Sequence, residues 1–235
     1  MANQVENVSP RIFRRAGRTL VGSGAYAALP FLGAGTLNWY RGWLFAVIFV
    51  VMQVAASVFL EVRQPELMEQ RARGIRGDTK KFDKIFYLVM TPVSALYPII
   101  CGLDAVRFGW APLPLWSAYI GVTLFIMGSI WSIWAVLTNT YAETTVRIQG
   151  ERGQTVIQSG PYRVVRHPMY AGMIIGLPGA ALILGSGWGL APMLLLGILF
   201  VWRTDREDRT LQNELVGYRE YAESTTRYRL VPGIW

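Results

Sequence analysis

The chain has 235 residues, 52% of them apolar and only 16% charged, with a mean hydropathy of +0.30. A soluble domain of this size carries nearer a quarter charged residues, so the composition points to a bilayer as solvent. One cysteine (Cys101) and one histidine (His167) exclude an intramolecular disulfide and leave too few soft ligands for a His/Cys metal site.

The opening stretch, MANQVENVSPRIFRRAGRTL, lacks the cationic start, short apolar core and small-residue cleavage site of a removable signal peptide. Six apolar segments follow, at 19–38, 41–61, 85–103, 114–138, 169–186 and 188–202. About 20 residues of helix cross the hydrocarbon core, and the second and fourth segments meet that length cleanly. Glycines and Pro30 dilute the first, and the third contains Pro92 and Pro98. The last two are short and joined by GSGWG, which reads as a tight helical hairpin, re-entrant or spanning. In the fourth segment, IMGSIWSIWAV reads as a packing or lipid-facing helix. Its Gly128 and Ser129 admit the close approach of either a ligand or a second helix. The expected fold is an all-α integral-membrane bundle of five to six transmembrane segments.

The net charge of +8 is unevenly placed. Four basic residues precede the first segment, seven lie between Arg63 and Lys84, four between Arg147 and Arg166, and six follow Trp202. Only Arg41 and Arg107 fall on the opposite side. Loops on the cytoplasmic side carry the excess of Lys and Arg. Both termini and the two long connections are therefore expected in the cytoplasm, in an inner or plasma membrane. Topology and anionic headgroups account for the charge, so no nucleic-acid partner is expected. Within the basic loop 62–84, Arg63, Glu66, Arg71 and Arg73 either contact headgroups or order the loop against a site. Residues 139–168 and 203–235 are long, polar and on one face, so any chemistry must occur where they meet.

The lone histidine stands in GPYRVVRHPMYAG, residues 160–172. This stretch, the acidic pair Glu207-Asp208, Leu211, GYREY and the closing RYRLVPGIW together resemble the isoprenylcysteine carboxyl methyltransferase family and its bacterial relatives. More distantly they are similar to the phosphatidylethanolamine N-methyltransferases. The resemblance runs from Thr140 to the C-terminus. Asp208 stands where the family usually has a second Glu, and Val216-Gly217 replaces the usual Phe-Gly.

The resemblance implies an S-adenosylmethionine-dependent membrane enzyme whose cofactor pocket forms from the His-containing loop, the hairpin and the C-terminal segment. A lipophilic or lipid-linked acceptor would enter from the bilayer. On this reading residues 1–138 supply transmembrane helices and residues 139–235 the methyltransferase-like catalytic region.

Elementary chemistry agrees. Methyl transfer is an in-line displacement that needs positioning rather than a metal, with reacting atoms roughly 3–3.5 Å apart. The cofactor's amino-acid tail carries an ammonium, which suits Glu207, and a carboxylate, which suits His167 or Arg166. Gly160-Pro161 makes a turn before Tyr162. Pro168 pushes His167 out of helical geometry and opens the next helix, whose free N–H groups attract an anion. Arg203 and Glu207, four apart, share a helix face. The candidate catalytic residues are Arg166 and Glu207. Tyr162, Arg166, His167, Pro168, Tyr170, Arg203, Glu207 and Asp208 are the candidate cofactor-binding set. An anionic acceptor, a carboxylate above all, is favoured because few groups remain to take a proton. Two other classes compete: an NADPH-dependent reductase of the steroid 5α-reductase type, which RHPMYAG fits less well than RHPNYxGE, and a non-enzymatic membrane scaffold.

Overall fold

A computed structural model describes residues 2–224 and 226–235, with side chains from Pro10 onward. Eight α-helices form: α1 (Ala2–Ala34), α2 (Tyr40–Arg63), α3 (Pro65–Ala72), α4 (Lys81–Gly102), α5 (Trp116–Thr138), α6 (Pro168–Leu184), α7 (Leu190–Glu214) and α8 (Tyr218–Ser224). Among the described residues there is no β-strand. A single bridge pairs Pro112 with Ser186.

Among the described residues, three helical stretches are long and apolar enough to cross a membrane: Tyr40–Arg63, Lys81–Phe108, where α4 continues into a π-helical turn, and Trp116–Thr138. The sequence led us to expect five or six. The difference has a physical origin in each remaining helix. α1 runs unbroken through Pro10 and Pro30, but Arg11, Arg14, Arg15 and Arg18 and its glycines dilute it. α6 has 17 residues and is about 26 Å long, short of the roughly 30 Å hydrocarbon core. α7 is apolar only to Trp202 and then continues as a polar helix for three more turns.

The tightest packing joins α5 to α6 along a seam of glycines. A Cβ on Gly121 would stand 2.7 Å from the Gly179 carbonyl oxygen, and one on Gly128 would run into the backbone of Gly172 and Gly176. Lipid tails leave no hydrophobic drive between such helices, so close backbone approach supplies the dispersion contacts. Gly128 thus serves a helix contact, one of the two roles its sequence position admitted.

The main core gathers Phe31, Phe45, Tyr97, Cys101, Ile183 and Leu196 between α1, α2, α4, α6 and α7. A second cluster of Phe86, Val165, Tyr170, Phe200 and Leu230 lies under the polar connections. Outward, Val47, Val51, Leu88, Ile130, Leu194 and Ile198 remain exposed, as a lipid-facing surface requires.

The far end of the α6–α7 hairpin is clamped by two buried charges. Arg41 Nε donates to the Ile183 carbonyl at 2.8 Å, Nη1 to Leu113 at 2.7 Å, and Nη2 to Leu182 at 2.5 Å and to Ser117 Oγ at 2.7 Å. A cation at the C-terminus of α6 meets the carbonyls that the helix leaves unpaired. Asp104 accepts from Ser186 Oγ at 2.6 Å and from the Ala111 and Trp188 amides at 2.7 and 3.1 Å. These contacts fix the hairpin at one end and leave its other end to carry the site.

Candidate active site

The connection from α5 to α6 prepares the site locally. Gly160 adopts φ +57°, and Gly160–Arg163 makes a 3-10 turn with Pro161 at its start. His167 takes the cap position at φ −122°, ψ 60°, and Pro168 opens α6. The C-terminal tail then lies against this loop. The Arg166 and His167 amides donate to the carbonyls of Tyr228 and Arg229, each at 2.9 Å. Tyr221 Oη and Thr226 Oγ1 both donate to the Tyr162 carbonyl, at 2.6 and 2.9 Å.

Asp208, fully buried on α7, is the hub of the charge network. It receives Arg166 through two parallel bonds of 2.8 and 3.0 Å, Arg229 Nε at 2.9 Å, Gln212 Nε2 at 2.7 Å and Tyr218 Oη at 3.2 Å. His167 Nε2 lies 3.2 Å from the same carboxylate. Burial alone would disfavour the charged form. The hydrogen bonds from His167 and Arg166 outweigh it and hold the Asp208 carboxyl well below the usual carboxylate range. Arg166 Nη1 donates to the carbonyls of Thr226 and Arg227 at 2.9 and 2.7 Å, so this guanidinium is committed to the protein itself. The two-pronged contact expected of Arg166 is present, and its partner is Asp208.

A cavity of about 90 Å³ opens beside this network. His167, Tyr170, Tyr162, Arg166 and Glu207 all line it, joined by Tyr218 and by Thr145 and Gln149 of the α5–α6 connection. His167 and Tyr170 stack with ring centroids 5.9 Å apart and planes 5° from parallel. Tyr170 Oη donates to Glu207 Oε2 at 2.6 Å, and Asn139 Nδ2 donates to Tyr162 Oη at 3.1 Å. Burial pushes the Tyr221 hydroxyl up to about 12, so it stays a hydrogen-bond donor at neutral pH.

Three of the sequence-expected residues do not line the cavity: Pro168, Arg203 and Asp208. Arg203 stands behind the wall. Its Nε is 2.8 Å from Asp83 Oδ1, its Nη2 donates to the Thr144 carbonyl at 2.7 Å, and its guanidinium lies over the Tyr170 ring at 5.1 Å. Arg229, Tyr218, Asn139 and Thr145 were not singled out in the sequence. Only the aromatic and basic density of GYREY and RYRLV hinted at the first two.

Residues 116–215 match the phospholipid methyltransferase family. The expected resemblance to membrane methyltransferases is borne out over that stretch. The phospholipid methyltransferase segment spans α5, the polar connection, α6 and α7. The tail residues that complete the Asp208 network lie beyond it. The cobalt-zinc-cadmium resistance protein CzcN of Cupriavidus metallidurans is 30% identical to this chain over 124 residues, half of each protein. The chain thus spans about half the length of that curated relative. Among the described residues, no cluster of three or more His, Cys, Asp or Glu side chains is arranged to hold a metal.

The donor set fits the amino-acid end of a sulfonium cofactor. Glu207 offers a carboxylate to an ammonium, and His167 offers a ring nitrogen. Thr145 Oγ1 is buried at the cavity wall with no partner in the protein, a polar atom awaiting one. About 90 Å³ is well under the roughly 300–1,000 Å³ of drug-sized sites.

Proposed function

We propose that this protein transfers a methyl group from S-adenosylmethionine to a lipophilic acceptor, with the site on the cytoplasmic face of an inner or plasma membrane. The observation that carries the reading is the single cavity onto which His167 of the loop and Glu207 of α7 converge, from positions 40 residues apart in the chain. When bound, the cofactor supplies an electrophilic methyl on a positively charged sulfur. Glu207, held by Tyr170, pairs with the ammonium; His167 and Thr145 address the polar end of the tail. Asp208 and Arg166 hold the loop, the helix and the tail in register as positioning residues. Arg203 braces the Tyr170 ring from behind. The basic connections face the cytoplasm by the charge rule.

The same geometry favours an acceptor that arrives already ionised. Asp208 is saturated by donors and kept charged, His167 is turned toward it, and Glu207 accepts from Tyr170. With Asp208 saturated and Glu207 and His167 assigned to the cofactor tail, none of these three is assigned as a general base. A carboxylate needs none.

Thermal melts of the purified protein in detergent test the reading. S-adenosylhomocysteine should raise the midpoint and NADPH should not. Glu207→Gln should weaken S-adenosylhomocysteine binding about 10–100-fold, the worth of a charge-assisted hydrogen bond. No response to S-adenosylhomocysteine, or an equal one to NADPH, overturns the assignment.

A further inference from the structure

A second cavity, about 460 Å³ and largely apolar, is lined by residues of α1 to α7. Phe49, Phe125, Ile133, Met173 and Leu196 form its walls, within the size range of small-molecule sites. Met169 lines this cavity and the smaller one alike, so the two are neighbours across a single side chain.

At that junction stands one cation, Arg71 of α3, which lines the larger cavity. Its Nη1 donates to the carbonyl of Ala142, a residue of the smaller cavity's wall, at 2.5 Å. No other hydrogen bond and no ion pair reaches Arg71 among the described residues. Of its five N–H donors, four make no hydrogen bond within the described residues and stay accessible to the cavity or solvent. The contrast with Arg41, Arg147, Arg166 and Arg203, each held by several protein acceptors or a carboxylate, is sharp. Burial lowers the Arg71 pKa, offset in part by Tyr87, Tyr170 and the Glu143 carboxylate. A guanidinium stays charged regardless, and a half-buried cation with no carboxylate in ion-pair contact among the described residues favours an anionic ligand.

We propose that Arg71 binds the carboxylate head of the acceptor, an apolar chain ending in a carboxylate whose tail occupies the 460 Å³ cavity. One guanidinium matches one carboxylate in charge and in its two-pronged geometry. The head then sits beside Met169 and Tyr170, at the boundary with the cavity assigned to the methyl donor. This rests on the methyl-transfer reading above. In the reaction a carboxylate oxygen forms a bond to the methyl carbon while the carbon–sulfur bond breaks and its electron pair stays on sulfur. A methyl ester and a neutral thioether result, and no proton is released.

The test uses the full chain in detergent with palmitate and 1-hexadecanol as probes, read by equilibrium binding alongside the S-adenosylhomocysteine melt. Palmitate should bind the wild type at least about tenfold more tightly than hexadecanol, about 1.4 kcal/mol. Arg71→Gln should abolish that preference while leaving the S-adenosylhomocysteine response intact. Arg71→Lys should keep part of the preference, and it carries the test should the glutamine variant not fold. Ser129→Trp, which fills the cavity, should weaken both probes. Equal binding of the two probes by the wild type, or a palmitate preference unchanged in Arg71→Gln, overturns the proposal. An Arg71-dependent preference for palmitate without any response to S-adenosylhomocysteine upholds the carboxylate site and removes the methyl donor.

Discussion

Asp208→Asn is the sharpest perturbation of the charge network. The carboxylate is fully buried and balances two guanidiniums, Arg166 and Arg229, while also accepting from Gln212 and Tyr218. An amide of the same shape removes the charge and turns an NH2 toward donors. Breaking a buried ion pair from one side costs about 3–5 kcal/mol. For a chain of this length that lowers the melting midpoint by roughly 6–20 °C. Cys101 is fully buried and is the sole cysteine, so a thiol-reactive fluorogenic dye reports unfolding directly. The pH dependence has a definite sign. The folded carboxyl titrates below its unfolded value, so its stabilisation is complete above the unfolded pKa of about 3.9 and fades as pH falls toward the folded one. The gap between wild type and variant should hold steady from about pH 8 to about pH 5 and close only below about pH 4. A variant melting within about 2 °C of wild type, or a gap that widens in acid, refutes the account of Asp208 as the hub.

Two further changes probe the scaffold. Gly128→Ala puts a Cβ against the backbone of Gly172 and Gly176, where no side chain can yield, and should cost about 2–3 kcal/mol in the same melt; an unchanged midpoint would mean the α5–α6 seam is looser than described. Arg41→Met strips donors from the carbonyls of Leu113, Leu182 and Ile183 and should cost about 2–4 kcal/mol. Hydrogen exchange should then quicken at Leu182–Leu190, and protection equal to wild type there would count against the clamp.

Much of this was legible in the sequence because it is local. The segments 41–61 and 114–138 became helices 40–63 and 116–138. Gly160-Pro161 became a turn, and Pro168 opened a helix with His167 at its cap, each decided by backbone chemistry within a few residues. What was not legible depends on distance. Glu207 ranked above Asp208 in the sequence because Asp208 departs from the Glu that usually stands there in the family it resembles. In the fold, Asp208's shorter arm suits a buried hub, and one of its partners, Arg229, comes from 21 residues away. Arg41 broke the pattern of basic residues on one side, and spacing gave no sign that its guanidinium folds inward onto α6. Arg71 looked like any member of a basic loop until the cavity beneath it was visible.

The tail's place in the wall has an outcome for biosynthesis. Arg166 and His167 are held by the carbonyls of residues 228 and 229, so a chain ending at Gly217 would lack these acceptors and the Tyr218 and Tyr221 side chains of the cavity wall. The cavity wall is therefore completed only by residues that follow α7, which leave the ribosome after every apolar helix has been made.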